Sequence, residues 1–295
     1  MFIDVHSHVN FNAFKDDAPE VLKRALEAGV WVNNVGSQIT TSRRAVEIAE
    51  KFDAGVFATV GLHPVHLSTT YVDIAEAGAH FTTRAEVFDP AVYEPLTRSA
   101  KTLAVGEIGL DYFHLTAPEI TNKESEKQKQ KEVFRAQINL ARDAGLPVML
   151  HCRDSKENPE DAYWDMHDIL KQEIGPAPSG RGAWLKVPGM LHCFTSSERV
   201  ARAFIDLGFY IGFTGIITFP NAKALQDVAK ALPIERILTE TDCPYLTPEP
   251  HRGKRNEPAY VKFVAEKLAE LKNLSFGEVE KQTFENAHFV FPKLP

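Results

Sequence analysis

Cysteine is scarce in this sequence, with only Cys152, Cys193 and Cys243 among 295 residues. So few and so widely spaced cysteines exclude a disulfide-stabilised domain and favour a reducing compartment. Each cysteine directly follows a histidine or an aspartate near the end of a predicted strand. Because neighbouring strand residues point to opposite faces, we expect the cysteines to pack outward against helices rather than to bind metal.

Long apolar runs and an excess of positive charge are also missing. No uncharged apolar run reaches the roughly 18 residues that a membrane span needs, and Asp4 follows Met1 too closely for a signal peptide. We therefore expect a soluble protein in the cytoplasm or, if the source is a eukaryote, in the nucleus. We favour a monomer. The net charge of -7 argues against a general nucleic-acid coat protein. It does not exclude an enzyme that binds phosphates through metals and a few arginines.

Short apolar runs alternate with amphipathic stretches along the whole chain. The runs predict eight strands, at 2–5, 30–35, 55–60, 103–107, 146–150, 189–191, 209–213 and 236–240. Between and after them the pattern predicts helices at 18–28, 42–52, 126–144, 163–172, 197–207, 222–231 and 258–271. Eight such units predict an α/β fold, a TIM-like (β/α)8 barrel formed by residues 1–295 as one domain. An open doubly wound sheet is the alternative, but no Gly-x-Gly-x-x-Gly motif opens a helix here.

Two segments interrupt this alternation. Residues 116–130 are polar and rich in lysine and glutamate, and residues 157–184 contain a helical piece followed by a turn-rich stretch at 175–180. Both come after predicted strands, so we expect them at the top face of the barrel.

Histidines and acids recur where the predicted strands end. His6 and His8 are two residues apart on an extended chain, so both imidazoles point to one face and can bind one cation. Each of the other candidates is ambiguous alone, since a single histidine is more often a core residue. All of them fall at the strand ends where barrel enzymes build their sites. They are Glu107, His151, His192 and Asp242.

Four imidazoles and two carboxylates can hold two divalent ions, typically about 3.5–4 Å apart. We expect one ion to bind His6, His8 and Asp242 and the other to bind His151 and His192. Glu107 is expected to bridge the two ions.

The motifs around these residues resemble the TatD-type deoxyribonucleases of the amidohydrolase superfamily. The similar segments run in order across nearly the whole chain: FIDVHSH at 2–8, GLHP at 61–64, GEIGLDY at 106–112, LHCFT at 191–195, TETDCPYL at 239–246 and RGKRNEP at 252–258. Where many amidohydrolases bridge their metals through a modified lysine, this chain offers Glu107, which favours the TatD branch. The resemblance implies a barrel that hydrolyses DNA phosphodiesters in a metal-dependent reaction, often from the 3′ end.

Several roles follow for the residues of the site. Asp242 is expected to accept the proton of the attacking water, with Glu107 bridging the metals. His63 is assigned to phosphate contact or leaving-group protonation. Arg153, Arg252 and Arg255 are candidate contacts to DNA, preferably single strands or ends. The remaining strand residue of interest, Asp4, is expected to orient the histidine ligands.

The metal and the substrate class stay open at this point. Histidine-rich ligation suits Zn²⁺ or Mn²⁺, whereas the resemblance implies Mg²⁺. A hydrolase of a small cyclic amide, lactone or phosphoester could use the same residues. A barrel kept only as an interaction scaffold is a further alternative, which the presence of all six candidate ligands disfavours.

Overall fold

Eight parallel strands form one sheet in which each strand pairs with the next along the chain. The computed structural model describes residues 1–69, 71–72, 81–82, 84–116, 120, 122–174 and 188–295. The strands are β1 (Phe2–Ser7), β2 (Val30–Val35), β3 (Val56–Val60), β4 (Thr102–Asp111), β5 (Val148–Arg153), β6 (Gly189–Leu191), β7 (Tyr210–Phe213) and β8 (Ile237–Thr239). A separate two-stranded antiparallel ladder joins Tyr71–Val72 to Phe81–Thr82.

The sheet closes on itself just beyond the end of β8. The His8 amide donates to the carbonyl oxygen of Cys243 at 2.8 Å, and the Asp242 amide donates to that of His6 at 2.9 Å. Ser7 and Cys243 form a parallel bridge between these bonds. The predicted TIM-like barrel is therefore confirmed.

Nine helices alternate with or follow the strands in the described part of the chain. They are α1 (Ala18–Glu27), α2 (Ile39–Ala49), α3 (Pro90–Thr97), α4 (Lys123–Ala144), α5 (Asp161–Ile174), α6 (Glu198–Asp206), α7 (Lys223–Ala231), α8 (Val261–Lys272) and α9 (Phe276–Val290). The sequence pattern did not predict α3, which is short and contains Pro95, or α9, which begins with a capping box between Ser275 and Glu278. Of these helices, none is long and apolar enough to cross a membrane.

The apolar core has two layers. The larger layer lies between the outer faces of the strands and the surrounding helices. The smaller fills the barrel interior with residues such as Ile3, Leu103 and Met149, and it continues into Val290 of α9 and the following Phe291. Helix α9 thus closes one end of the barrel. The opposite end, formed by the C-terminal ends of the strands, is left open for a site.

The predicted insertions are only partly described. Most of 116–130 belongs to α4, whose N-terminus is capped by the Asn122 side chain, and 161–174 belongs to α5. Residues 117–119, 121 and 175–187 lie outside the described residues, including the predicted turn-rich stretch at 175–180.

The cysteine prediction is right for two residues and wrong for the third. Cys152 and Cys243 are buried in the outer apolar layer, although Cys152 also borders the cavity at the mouth of the barrel. Cys193 is instead half-buried and lines the cavity at the mouth of the barrel, with its sulfur 3.8 Å from Thr214 Oγ1. Its left-handed φ of 46° breaks the strand alternation on which the prediction relied.

Candidate metal centre

A cavity of about 370 Å³ opens at the C-terminal ends of the strands. It is lined mainly by residues that end a strand or follow one: His8, Phe11, Ser37, His63, Val65, His66, Glu107, Asp111, His114, His151, Cys152, Arg153, His192, Cys193, Thr195, Ile216, Asp242, Tyr245 and Leu246. Five of the six predicted ligands are among them, and the sixth, His6, lies fully buried beneath. The structure therefore brings all six together.

Irregular strand pairing directs Glu107 into this cluster. The register between β4 and β5 shifts between Val105 and Ile108, and such a bulge re-aims a side chain. Two residues further on, Gly109 has a φ of 145°, and a Cβ there would lie 2.0 Å from the carbonyl oxygen of His151. Glycine is therefore required for β4 to run this close to β5. Glu107 lies four residues before the end of β4, so the prediction that it ends the strand was wrong.

One half of the cluster contains His6, His8 and Asp242. The Nε2 atoms of the two histidines are 3.1 Å apart, and Asp242 Oδ1 lies 3.2 Å from His8 Nε2 and 3.7 Å from His6 Nε2. Glu107 Oε2 lies 3.5 Å from His6 Nε2 and 3.8 Å from His8 Nε2. This half has the composition expected for the first ion.

The other carboxylate oxygen of Glu107 faces a second group. Oε1 lies 2.9 Å from His151 Nδ1, 3.5 Å from His63 Nε2 and 3.8 Å from His192 Nε2. The His192 ring also stacks on His6, with ring centroids 3.3 Å apart. The possible cation groups place His192 with His6 and Glu107 or with Cys193 and Asp242, and they place His151 with His63 and Asp111. That His151 and His192 share one ion stays a prediction. Both imidazoles lie near the same carboxylate oxygen, Glu107 Oε1.

Oxygen atoms lie beside the outer nitrogen of three cluster histidines. His8 Nδ1 lies 2.9 Å from the carbonyl oxygen of Val35, His151 Nε2 lies 3.1 Å from Asp111 Oδ2, and His192 Nδ1 lies 3.0 Å from Glu240 Oε2. A proton on each outer nitrogen leaves the lone pair of the inner nitrogen pointing into the cluster.

Sequence reasoning missed the roles of Asp111 and Glu240. Asp111 is almost fully buried and also contacts His114 Nδ1 at 2.8 Å, while Glu240 is fully buried. The signal for Asp111 was available, because it lies four residues from Glu107 on the same strand and thus on the same face. The orienting role expected of Asp4 stays a prediction, because its carboxylate accepts from the His6 amide at 3.4 Å but contacts no imidazole among the described residues. The carboxylate also accepts from the amide of Thr241 at 2.8 Å and from the Thr241 hydroxyl, which joins β1 to the end of β8.

Opposite charges dominate the electrostatics of the cluster. Burial alone would raise the pKa of Glu107, but His63 and His6 outweigh it and hold that pKa well below its usual value. Burial would lower the pKa of His151, but Asp111 and Glu107 raise it to about 9. Burial would likewise lower the pKa of His192, but Glu240 and Glu107 raise it to about 10. In His6, burial and His192 lower the pKa to about 3.

The residues present fit divalent cations. Imidazole nitrogens and ionised carboxylates converge within 4.8 Å of one another in several overlapping groups. His6 Nε2 and His8 Nε2 face each other at hydrogen-bond distance although a neutral imidazole nitrogen without a proton can only accept. Two imidazole nitrogens and two carboxylates directed at one point form a donor set that suits a divalent cation.

The other predicted residues differ in position. His63 lines the cavity, and its Nδ1 accepts from the Val65 amide at 3.0 Å, which places the proton on Nε2 beside Glu107. Arg153 also lines the cavity and stacks on the Phe113 ring at 3.6 Å.

Arg252 and Arg255 are not among the described residues that line the cavity. Arg252 stacks on Phe219 at 3.7 Å, and Arg255 pairs with Asp17 and Glu257 on the outer surface. Their side chains are therefore engaged away from the cluster.

Comparison with known proteins gives a consistent result. A profile described as TatD related DNase matches residues 3–292. The chain is 40% identical over 292 residues to an uncharacterized metal-dependent hydrolase, YabD, of Bacillus subtilis, with 99% of each chain covered. It is 31% identical over 296 residues to a 3′-5′ ssDNA/RNA exonuclease, TatD, of Klebsiella pneumoniae, with 98% of this chain and 97% of that protein covered. The crystal structure of YjjV, a TatD homologue of Escherichia coli, superposes with a TM-score of 0.79 at 28% identity, covering 100% of this chain and 98% of that one.

Proposed function

Because this chain belongs to the TatD related DNase family, whose relatives include metal-dependent hydrolases, we propose that it is a nuclease acting on single-stranded nucleic acid. In this proposal it hydrolyses phosphodiester bonds stepwise from the 3′ end, the activity named for the Klebsiella relative. The observation that carries the proposal is the position of Glu107, whose two oxygens face two separate groups of nitrogen and oxygen ligands.

Two divalent ions would share this set. His6, His8 and Asp242 would hold one, His151 and His192 the other, and Glu107 would bind both. Bound cations of this kind acidify water and neutralise charge on phosphoryl oxygens.

The protein's own groups supply the remaining steps. Burial would raise the pKa of Asp242, but His192 and His8 lower it, so the side chain is a carboxylate that can accept a proton from the attacking water. The water oxygen bonds to phosphorus, the P–O3′ bond breaks, and the departing O3′ takes up the proton that Asp242 has accepted. His63, with its proton on Nε2, donates a hydrogen bond to a phosphoryl oxygen. Arg153, which lines the same cavity, would contact a flanking phosphate.

A nuclease assay across Mg²⁺, Mn²⁺ and Zn²⁺ tests this function. A 3′-labelled and a 5′-labelled single-stranded oligonucleotide should be shortened from the 3′ end by the wild type. Glu107→Gln should lose more than about 100-fold in rate, because even partners one step removed from a metal account for about 10–100-fold in affinity or activity. Metal content measured by mass spectrometry should fall in the same variant.

The matched control is Glu47→Gln, a change at an exposed glutamate of α2. It should keep full activity and metal content. Turnover of a cyclic amide or lactone without any cleavage of oligonucleotides would overturn the proposal in favour of a small-molecule hydrolase.

A further inference from the structure

One side of the cavity is apolar. Phe11, Ile216, Tyr245 and Leu246 line it, and all four are partly exposed. They follow β1, β7 and β8, which are neighbours around the closed barrel. We call these four residues the apolar wall.

The opposite side is polar and includes the guanidinium of Arg153. Arg153 ends β5 and His114 follows β4, and these two strands lie across the barrel from β8. The Phe113 ring lies against the Arg153 guanidinium at 3.6 Å and against Lys156 Nζ at 4.2 Å, which keeps both cations at this rim. The cluster around Glu107 lies between the two sides.

The size of the cavity limits what can enter. A volume of about 370 Å³ is near the lower end of the roughly 300–1,000 Å³ that is common for small-molecule sites. In the part of the chain that the structure describes, that space is enough for one nucleotide. A terminal base can enter the cavity only when it has left its partner, so the end must be unpaired already or must become unpaired on binding.

Resting on the proposed function, we propose that the cavity binds a single unpaired 3′-terminal nucleotide, with its base against the apolar wall and the strand leaving past Arg153. The scissile phosphate then lies over the cluster, and hydrolysis releases one nucleoside 5′-monophosphate per turnover. Tyr245 is the residue that we expect to bind the terminal base, because an aromatic ring can stack on any base.

Tyr245 is a better residue to test than Phe11. The Phe11 ring stacks on His8 with centroids 4.2 Å apart, so its loss would also disturb the cluster. Tyr245 lies further from His8, at 6.3 Å between ring centroids. Its amide donates to the carbonyl oxygen of Asp242, and its own carbonyl accepts from Asn256, so a side-chain change leaves both bonds in place.

The experiment compares two oligonucleotides that differ only at the 3′ end, one with a normal terminal nucleotide and one with a tetrahydrofuran residue that lacks the base. The full-length, Mn²⁺-loaded wild type should cleave the normal end with a kcat/KM about tenfold higher, the effect of losing one stacked base. In Tyr245→Ala this ratio should fall toward one, mainly through KM. Tyr245→Phe keeps the ring and should keep the ratio. Ile216→Ala, a second change in the apolar wall, should lower it in part.

The possible failures are distinguishable. Equal cleavage of both ends by the wild type would overturn the inference while leaving the nuclease activity established. If Tyr245→Phe lost as much as Tyr245→Ala, the hydroxyl rather than the stacking face would matter, which also overturns it. If no oligonucleotide were cleaved with any metal, both the inference and the proposed function would fall.

Discussion

Asp111→Asn removes a negative charge from behind His151 and keeps the shape of the side chain. In the wild type, Asp111 Oδ2 lies 3.1 Å from His151 Nε2 and 2.8 Å from His114 Nδ1, while Oδ1 accepts from the His114 amide at 3.0 Å. Asparagine offers one oxygen and one NH₂ group in place of two oxygens. In either orientation its NH₂ group therefore meets a donor.

The orientation with NH₂ toward the rings has a direct consequence for the metal centre. His151 must then accept through Nε2, which moves its proton to Nδ1, the nitrogen 2.9 Å from Glu107. That nitrogen loses the lone pair with which it would bind a cation. We expect metal affinity to fall about 10–100-fold, the usual effect of losing such an orienting partner. The equivalent free energy is about 1.4–2.8 kcal/mol, which agrees with about 1–3 kcal/mol for one unsatisfied buried donor.

Calorimetric titration of the metal-free protein with Mn²⁺ measures this effect directly, and circular dichroism verifies that the variant is folded. Asp168→Asn is the matched control, because that side chain is 74% exposed. An unchanged dissociation constant for every ion bound by folded Asp111→Asn would refute the orienting role of Asp111.

Three further changes test other parts of the structure. Arg153→Ala should raise KM for an oligonucleotide about tenfold and reduce its salt dependence, whereas Arg255→Ala should leave KM unchanged; equal effects would contradict the assignment. In the metal-free protein the pKa values of His151 and His192 are raised to about 9 and about 10, so cations must displace protons and affinity should rise with pH up to that range. The same protons stabilise the metal-free fold below the ordinary histidine pKa near 6.5, and this contribution should be lost as pH rises through about 9. Metal titrations at several pH values measure the affinity, and urea unfolding at the same pH values measures the stability. Asp4→Ala leaves the Thr241 amide and hydroxyl, at the closure between β1 and β8, without their acceptor. It should lower the free energy of unfolding by about 3 kcal/mol; a loss under about 1 kcal/mol in urea unfolding would show that this closure relaxes.

The alternation of apolar runs and amphipathic stretches determined the barrel. Parallel strands separated by helices have few ways to close, and their C-terminal ends then meet at one rim. Residues at those ends converge whatever the details of packing. For this reason His6, His8, His151, His192 and Asp242 could be found together from local pattern alone, whereas Glu107 lies four residues before the end of β4 and reaches them through a bulge.

Only the tertiary structure decided which atoms touch. The contact between Glu240 and His192, the pairing of Asp111 with His151 and the bonds of Asp4 to Thr241 join residues from different strands. Such contacts depend on bulges and side-chain directions that a period of two does not specify. Local sequence also could not show that Arg255 pairs with Asp17, which is 238 residues away. Strand periodicity reports which face a residue occupies, whereas partners across the barrel are chosen by packing and charge after the chain has closed.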